Sequence, residues 1–287
     1  MTGAENGAHA AFRIGAVAYD PKVVTIWEGF KSYFERRNFA IDYFLFSNYD
    51  AQVDALLSGG IDVAWNSPLA WVKSQILSEG RCLAVAMRDS DRDLATKIIV
   101  KKSSEIKTVA DLKGKTIAVG ASDSPQATLI PLEMLAESAV LPDRDCTVLY
   151  HNVMVGKHGD HVGGERDAAR ALSSGVADAA SILDSNYLLF INEGTLDPGA
   201  TRVLATTPAF DHCNFTARDN LDKDRRERFV GILLEMSFDN PEVRTFMELE
   251  GLTRWLPGRT TGYKQLEDAV ERFKFYANLD SKSATAA

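Results

Sequence analysis

The chain has 287 residues, enough for one large or two medium domains, and its 45% hydrophobic, 25% charged composition is that of an ordinary globular protein. A formal net charge of -8, with no Lys/Arg-rich run, argues against nucleic acid or an anionic membrane surface as the main partner. No apolar stretch reaches the ~18 residues that a membrane-spanning helix needs, so no membrane insertion is expected.

The stretch from Met1 to Ala10 carries neither a basic region nor an apolar run of ~7–15 residues. As written the protein therefore reads as cytoplasmic; it reads as periplasmic if the sequence starts after a removed signal. Cys82, Cys146 and Cys213 show no CxxC spacing and read as reduced, partly buried thiols. Residues 1–11 and 281–287 are small and polar and are expected to be flexible ends.

From Phe12 onward, short β-branched or apolar runs alternate with helical patterns, which predicts βα units and mainly parallel sheets. Phe12–Tyr19 reads as a strand stopped at Asp20-Pro21, and Thr25–Arg37 as a helix with Ile26, Phe30 and Phe34 on one face. Ile41–Phe46 is a strand, with Phe44 and Phe46 assigned to the core. Ser47-Asn48 caps a helix over Tyr49–Ser58 that stops at Gly59-Gly60, and Ile61–Trp65 is the next strand. Asn66-Ser67-Pro68 opens another helix, with a capping residue followed by proline, and Cys82–Met87 is a strand.

The same grammar restarts after Asp93. Strands are predicted at Thr96–Val100, Thr116–Gly120, Cys146–Tyr150, Asp178–Leu183, Thr201–Thr206 and Cys213–Ala217. Helices are predicted at Val109–Leu112, from the Ser122-Asp123-Ser124-Pro125 cap to about Ala139, at Glu165–Leu172 and at Tyr187–Phe190. Lys223 to Asn278 reads as three helices, broken at Asn240-Pro241 and near Pro257-Gly258. The expected architecture is α/β and two-lobed, each lobe a mainly parallel sheet flanked by helices, with two crossover hinge strands near Asp93–Thr96 and Thr206–Phe210. Lobe 1 would comprise residues 12–93 plus 208–280, and lobe 2 residues 94–207.

In open α/β sheets, ligands collect beyond the carboxyl ends of strands, where helix N-termini point into the crevice. Three strand-to-helix turns carry small polar residues there: Ser47-Asn48, Asn66-Ser67 and Ser122-Asp123-Ser124. Backbone N–H groups at the positive end of a helix dipole favour anions without any lysine. The same residue types are also the preferred plain caps. Tyr19, Tyr49, Trp65 and Phe210 stand at strand ends and could wall a pocket. Asp184 is placed either to pair with a cationic ligand group or to cap a helix.

The stretch from His158 through Asp160 and His161 to Glu165 is unusual, and His151 and His212-Cys213 lie near it in sequence. His158, Asp160, His161, Glu165, His212 and Cys213 could ligate zinc or another transition metal, although the spacing matches no standard structural site. The loop could equally hydrogen-bond an oxyanion, close over a ligand, or be a polar surface loop. There is no nucleophile elbow, Walker loop or GxGxxG after a strand, so the chain reads as a binder before an enzyme, and no cofactor is expected.

The segment Tyr49 to Trp71, with its helix, Gly59-Gly60, strand and Trp65-Asn-Ser-Pro68, resembles the phosphonate-type substrate-binding proteins of ABC transporters. Val109-Ala-Asp-Leu-Lys-Gly-Lys-Thr-Ile-Ala-Val-Gly120 is similar to another segment of that family, as are Pro131 and Gly163-Gly164 before an Ala-rich helix. The resemblance covers roughly Phe12 to Ala217. It implies a two-lobed fold whose cleft takes phosphonate, phosphate-like or sulfonate ligands, with Tyr49, the Asn66-Ser67 turn and the Ser124 turn as matching positions, and an ABC permease as a possible partner. The family's Ser-Thr-Ser-Gly anion cradle appears here as Ser124-Pro125-Gln126-Ala127, and its histidine after Gly-Gly falls at Glu165. A carboxylate there would repel a dianionic head.

The leading expectation is a solute-binding protein, for transport or sensing, that closes on a small polar or anionic ligand. Its candidate contacts are Tyr19, Asn48, Tyr49, Asn66, Ser67, Ser122, Asp123, Ser124, Gln126, His158, His161, Glu165, Asp184 and His212. The alternatives are a cytoplasmic enzyme on the same fold acting on a small anionic metabolite, and a metal or metal-chelate binder using the His158–Glu165 loop.

Overall fold

A computed structural model of the chain describes residues 10–156 and 162–277. The expected flexible ends lie almost wholly outside the described residues. In chain order, β1 (Phe12–Val17), α1 (Lys22–Glu35), β2 (Ile41–Phe46), α2 (Tyr49–Leu57), β3 (Val63–Asn66), α3 (Pro68–Leu77) and β4 (Cys82–Arg88) come first. There follow β5 (Thr96–Lys101), β6 (Thr116–Val119), α4 (Ile130–Glu137), β7 (Thr147–Tyr150), α5 (Val162–Ser174), β8 (Ala179–Leu183), α6 (Asp184–Asn192) and β9 (Thr201–Thr206). The last elements are β10 (Asn214–Arg218), α7 (Lys223–Leu234), α8 (Pro241–Glu250), β11 (Trp255–Pro257) and α9 (Lys264–Arg272).

The chain divides into two compact units. The first comprises the residues up to Asn66, Ser74–Ser90 and Cys213–Arg259; the second comprises Ser67–Lys73, Asp91–His212 and the residues from Thr260 onward. The residues from Thr260, expected with lobe 1, thus group with the second unit. The cause is the packing of α9 on α4, where Arg272 Nε donates to Glu133 Oε2 at 2.7 Å. Tyr263 adds a hydrogen bond from its hydroxyl to the His212 carbonyl at 2.9 Å.

The first unit holds a six-stranded sheet in the order β11-β4-β10-β3-β1-β2. Its aromatic core is built by period. On α1, Val23, Ile26, Trp27, Phe30, Tyr33 and Phe34 are buried, the i, i+3, i+4, i+7 stripe of a helix that covers a sheet. Phe215 of β10 stands at the centre of this core, with ring centroids 4.9 Å from Trp65, 5.3 Å from Phe229 and 5.3 Å from Trp255. Phe44, expected in the core, is instead 45% exposed. It lies on β2, the edge strand, and only the neighbouring Phe46 reaches the small cluster of Leu56, Ile61 and Ala64.

The second unit holds a five-stranded sheet in the order β7-β6-β8-β5-β9. Alternate residues serve opposite faces, as strand geometry requires. Ile98, Val100, Ile117, Val119 and Ala179 pack with Leu132 and Leu135 of α4. Ile99, Ala118, Ala180 and Ile182 pack with Ala168, Ala169 and Leu172 of α5 and with Phe190 of α6. A strand buried on both faces reads as a continuous apolar run, which is how β5 and β6 read in the sequence.

The sheets are mixed rather than mainly parallel. β1 pairs parallel with β2 and β3, and β6 parallel with β7 and β8, as βα units demand. β10 runs antiparallel to β3 and β4, and β5 antiparallel to β8 and β9. The antiparallel strands are those that enter or leave a unit without a crossover helix to turn them round. β11 is a strand where only a helix break was expected. It pairs antiparallel with β4, and a Cβ at Gly258 would overlap the Ala84 carbonyl, so only glycine lets the chain pass there.

Truncating Phe215 to alanine leaves a cavity among Trp65, Phe229 and Trp255. Phe215→Ala is expected to cost about 3–5 kcal/mol, read as a lowered urea midpoint with an unchanged m-value.

Candidate functional site

Within the second unit, the carboxyl ends of β6 and β8 are met by two polar helix starts. β6 runs out at Gly120, and the chain turns through Ala121-Ser122-Asp123-Ser124 into a π-helical turn, Pro125–Leu129, ahead of α4. The Ile130 amide bonds the Pro125 carbonyl, and Pro131, which has no N–H, follows it, so the wide turn sits just before the regular helix begins. Ser124 caps it, its Oγ accepting from the Ala127 amide at 3.2 Å. A Cβ at Gly120 would stand 2.7 Å from Ala127 Cβ, so glycine allows the strand end and the turn to touch.

The turn is tied to the loop after β7. The Ser122 amide donates to Asn152 Oδ1 at 2.9 Å, and Asp123 Oδ2 accepts from the Gly156 amide at 2.6 Å. On its other side, Thr96 Oγ1 of β5 donates to the Gln126 carbonyl at 2.6 Å. The Gln126 side chain lies 3.4 Å from His212 Nε2, and His212 Nδ1 is 3.4 Å from Asp91 Oδ1. Four buried polar groups (Asp91, His212, Gln126 and Asp123) therefore stand on or beside one turn.

The second start is that of α5. Its first turn, Val162 to Glu165, is the positive end of the helix dipole. Gly164 brings this end close to the sheet, because a Cβ there would be 2.7 Å from the His151 carbonyl oxygen and 3.3 Å from the Ala121 amide. Glu165 follows, 1% exposed. Its Oε2 accepts from the Leu183 amide at the end of β8 at 2.8 Å, and Asn186 of α6 also hydrogen-bonds the carboxyl. Its Oε1 has no hydrogen-bond partner among the described residues. Burial pushes the Glu165 carboxyl up to about 7, against the pull of the Leu183 and Asn186 bonds and of nearby His212. Burial also pushes His151 below the usual imidazole range.

The remaining candidates are distributed as follows. In the first unit, Asn48 Oδ1 caps α2 by accepting from the Ala51 amide at 2.9 Å, Tyr49 is buried, and Tyr19 is half-buried with Lys22 5.8 Å from its ring centre. Asn66 is wholly buried: its amide donates to Thr216 Oγ1 at 2.9 Å and Ser74 Oγ at 3.3 Å, and its Oδ1 accepts from Gln52 Nε2 at 2.8 Å. Ser67 caps α3 through the Ala70 amide at 3.2 Å. Trp65 and Phe210 are buried, Trp65 within the aromatic core of the first unit. Asp184 is ion-paired with Lys97.

His158, Asp160 and His161 lie outside the described residues. Of the other residues that suggested a metal, Glu165 is engaged with Leu183 and Asn186, His212 faces Asp91 and Gln126, and Cys213 is buried. Leu183, Asn186, Asn152 and Asp91 were not foreseen. A backbone amide carries no sequence signal, and Asn186 and Asp91 acquire their roles only through strand register.

Two mixed α/β units, with polar helix starts at strand carboxyl ends, define the class: this is the fold of periplasmic substrate-binding proteins. The family model described as "ABC transporter, phosphonate, periplasmic substrate-binding protein" matches residues 15–263, and the chain belongs to that family. The family binds small ligands and works with ABC permeases; among the described residues no helix is long and apolar enough to cross a membrane. A probable ABC transporter phosphite binding protein, PhnD1 of Prochlorococcus marinus (strain MIT 9301), is 22% identical over 242 residues, covering 79% of this chain and 77% of that protein. The structure of PhnD1 with methylphosphonate aligns at a TM-score of 0.62 and 17% identity, over 92% of this chain and 98% of that one. A Xanthomonas citri protein bound to ATP aligns at 0.69 and 15% identity, over 92% and 98%. The periplasmic aliphatic sulphonate binding protein SsuA of Escherichia coli aligns at 0.58 and 20% identity, over 92% and 93%.

An unfolded carboxyl titrates near 4.5, so between that value and about 7 the folded protein holds a proton on Glu165 that the unfolded chain has lost. Stability therefore falls as pH rises through this window, by roughly 3 kcal/mol in all. Glu165→Gln is expected to remove that component. Urea denaturation at pH 4 and pH 8 should show a smaller loss in the variant than in the parent protein.

Proposed function

We propose that this chain binds a small tetrahedral oxyanion of the phosphonate, phosphite or sulfonate type and delivers it to an ABC permease from the periplasmic side. The observation that carries this reading is the meeting of the α5 N-terminus with the Ser122–Gln126 turn at the carboxyl ends of β6 and β8. Helix starts with glycine at the point of approach turn the positive ends of their dipoles towards a negative ligand, with no lysine required. Family membership, the phosphite and methylphosphonate binding of PhnD1 and the sulphonate binding of SsuA support the same ligand class. Ser122, Asp123, Ser124, Gln126 and Glu165 are the second unit's candidate contacts in this proposal.

The test is a thermal-melt and calorimetric screen of protein freed of bound solute, against methylphosphonate, phosphite, phosphate and ethanesulfonate. A ligand at 100 times its dissociation constant stabilises the folded state by about 2.7 kcal/mol, so one of these anions is expected to raise the melting temperature by several degrees. No shift with any of them would rule out the oxyanion assignment.

A further inference from the structure

The α5 N-terminus presents a contradiction if its ligand is an anion: the first side chain buried in that turn is a carboxylate. Among the described residues Glu165 is held on one side only, with Oε2 on the Leu183 amide and Asn186 on the carboxyl, while Oε1 is buried without a partner. A buried oxygen with no donor is costly as part of a carboxylate and much less so as a hydroxyl that can itself donate. We propose that Glu165 is the specificity residue of this site and binds the oxyanion as a neutral carboxylic acid, donating from Oε1 to a ligand oxygen, so that ligand binding is coupled to one proton. The inference rests on the oxyanion reading above.

The surroundings decide whether the acid is held neutral. From β8 comes only the neutral Leu183 amide, and from α6 the neutral Asn186, with Asp184 at the head of that helix ion-paired to Lys97. Within α5, the adjacent Arg166 is engaged with Glu193 at 2.6 Å, and Asp167 acts on His151. From the loop after β7, His151 is held towards its neutral form by burial. From the turn after β6 comes Asp123, which already accepts from the Gly156 amide. Among the described residues His212, with Asp91 at 3.4 Å, is the basic group that favours the ionised form of Glu165. No arginine or lysine among the described residues pairs with the carboxyl, and burial outweighs the remaining pulls towards ionisation.

The proton balance is simple. Below neutrality the acid already carries its proton, and the ligand binds with no uptake at Glu165. Above neutrality the carboxylate takes one proton from solvent as the anion enters, so affinity falls by up to tenfold for each further pH unit. Carboxylate-free recognition by the helix dipole alone would show no such slope from this residue.

The experiment is calorimetric titration of methylphosphonate into the full chain and into Glu165→Gln at pH 5.5, 7 and 8.5. The amide keeps a donor and does not titrate, so subtracting its profile removes the ligand's own ionisation. The inference expects similar affinities at pH 5.5, with the parent protein weakening about thirtyfold more than the variant by pH 8.5. Parallel profiles, or loss of binding by Glu165→Gln at every pH, would overturn the inference and leave the oxyanion reading intact. Absence of binding by both proteins at every pH would overturn the oxyanion reading and this inference with it. Should the variant fail to fold, difference infrared spectra of the parent protein decide the matter. A protonated-carboxyl band that appears on adding methylphosphonate at pH 8.5 supports the inference, and its absence refutes it.

Discussion

A carboxyl group taken fully out of water has to be either neutralised or met by donors, and the second unit is organised around how Glu165 resolves this. The Leu183 amide ties the start of α5 to the end of β8 through the acid, and Asn186 adds the start of α6. Gly164 and Gly120 supply the absent side chains that let helix, strand and turn approach so closely. The bonds from Ser122 to Asn152 and from Asp123 to Gly156 then fix the neighbouring loop against the same turn. Ser122, Asp123 and Glu165 are thus each tied to a neighbouring element, which limits how far this turn can reorganise.

The first unit solves a different problem. Its sheet carries a network of buried amides and hydroxyls: Gln52 bonds the Trp65 carbonyl and Asn66, Asn66 bonds Thr216, and Thr216 donates to Asn214. A connected network of neutral groups costs little once satisfied, and it pins β3, β10 and α2 in one register. Phe215, on the same strand as Thr216 and Asn214, projects to the other face and holds the aromatic core. One strand thus anchors an apolar layer and a polar layer by simple alternation.

Much of this was legible in the sequence because it rests on local chemistry. The caps at Asn48, Ser67 and Ser124 are one-turn hydrogen bonds, so residue type and spacing sufficed to place them. The apolar runs of β5 and β6 announced strands covered on both faces. What stayed hidden depends on register and on strand order. Phe44 reads as core by composition, and only its place on an edge strand exposes it. β11 is three residues long and exists because β4 offers an edge, a fact absent from the residues themselves. The mixed sheet direction follows from which connections lack a helix. At the site, the sequence points to Glu165, but its partners are a backbone amide and an asparagine 21 positions on, and no pattern of residue types links them.

The cysteines carry a last consequence. All three are buried and outside any disulfide, Cys82 and Cys213 in the first unit and Cys146 in the second, and burial pushes the Cys82 and Cys146 thiols above their ordinary range. A thiol in that condition reacts only when the structure around it opens. The chain therefore carries its own clocks: alkylation at Cys146 times the loosening of one unit and alkylation at Cys82 and Cys213 that of the other. A ligand held by one unit would slow the clocks unequally.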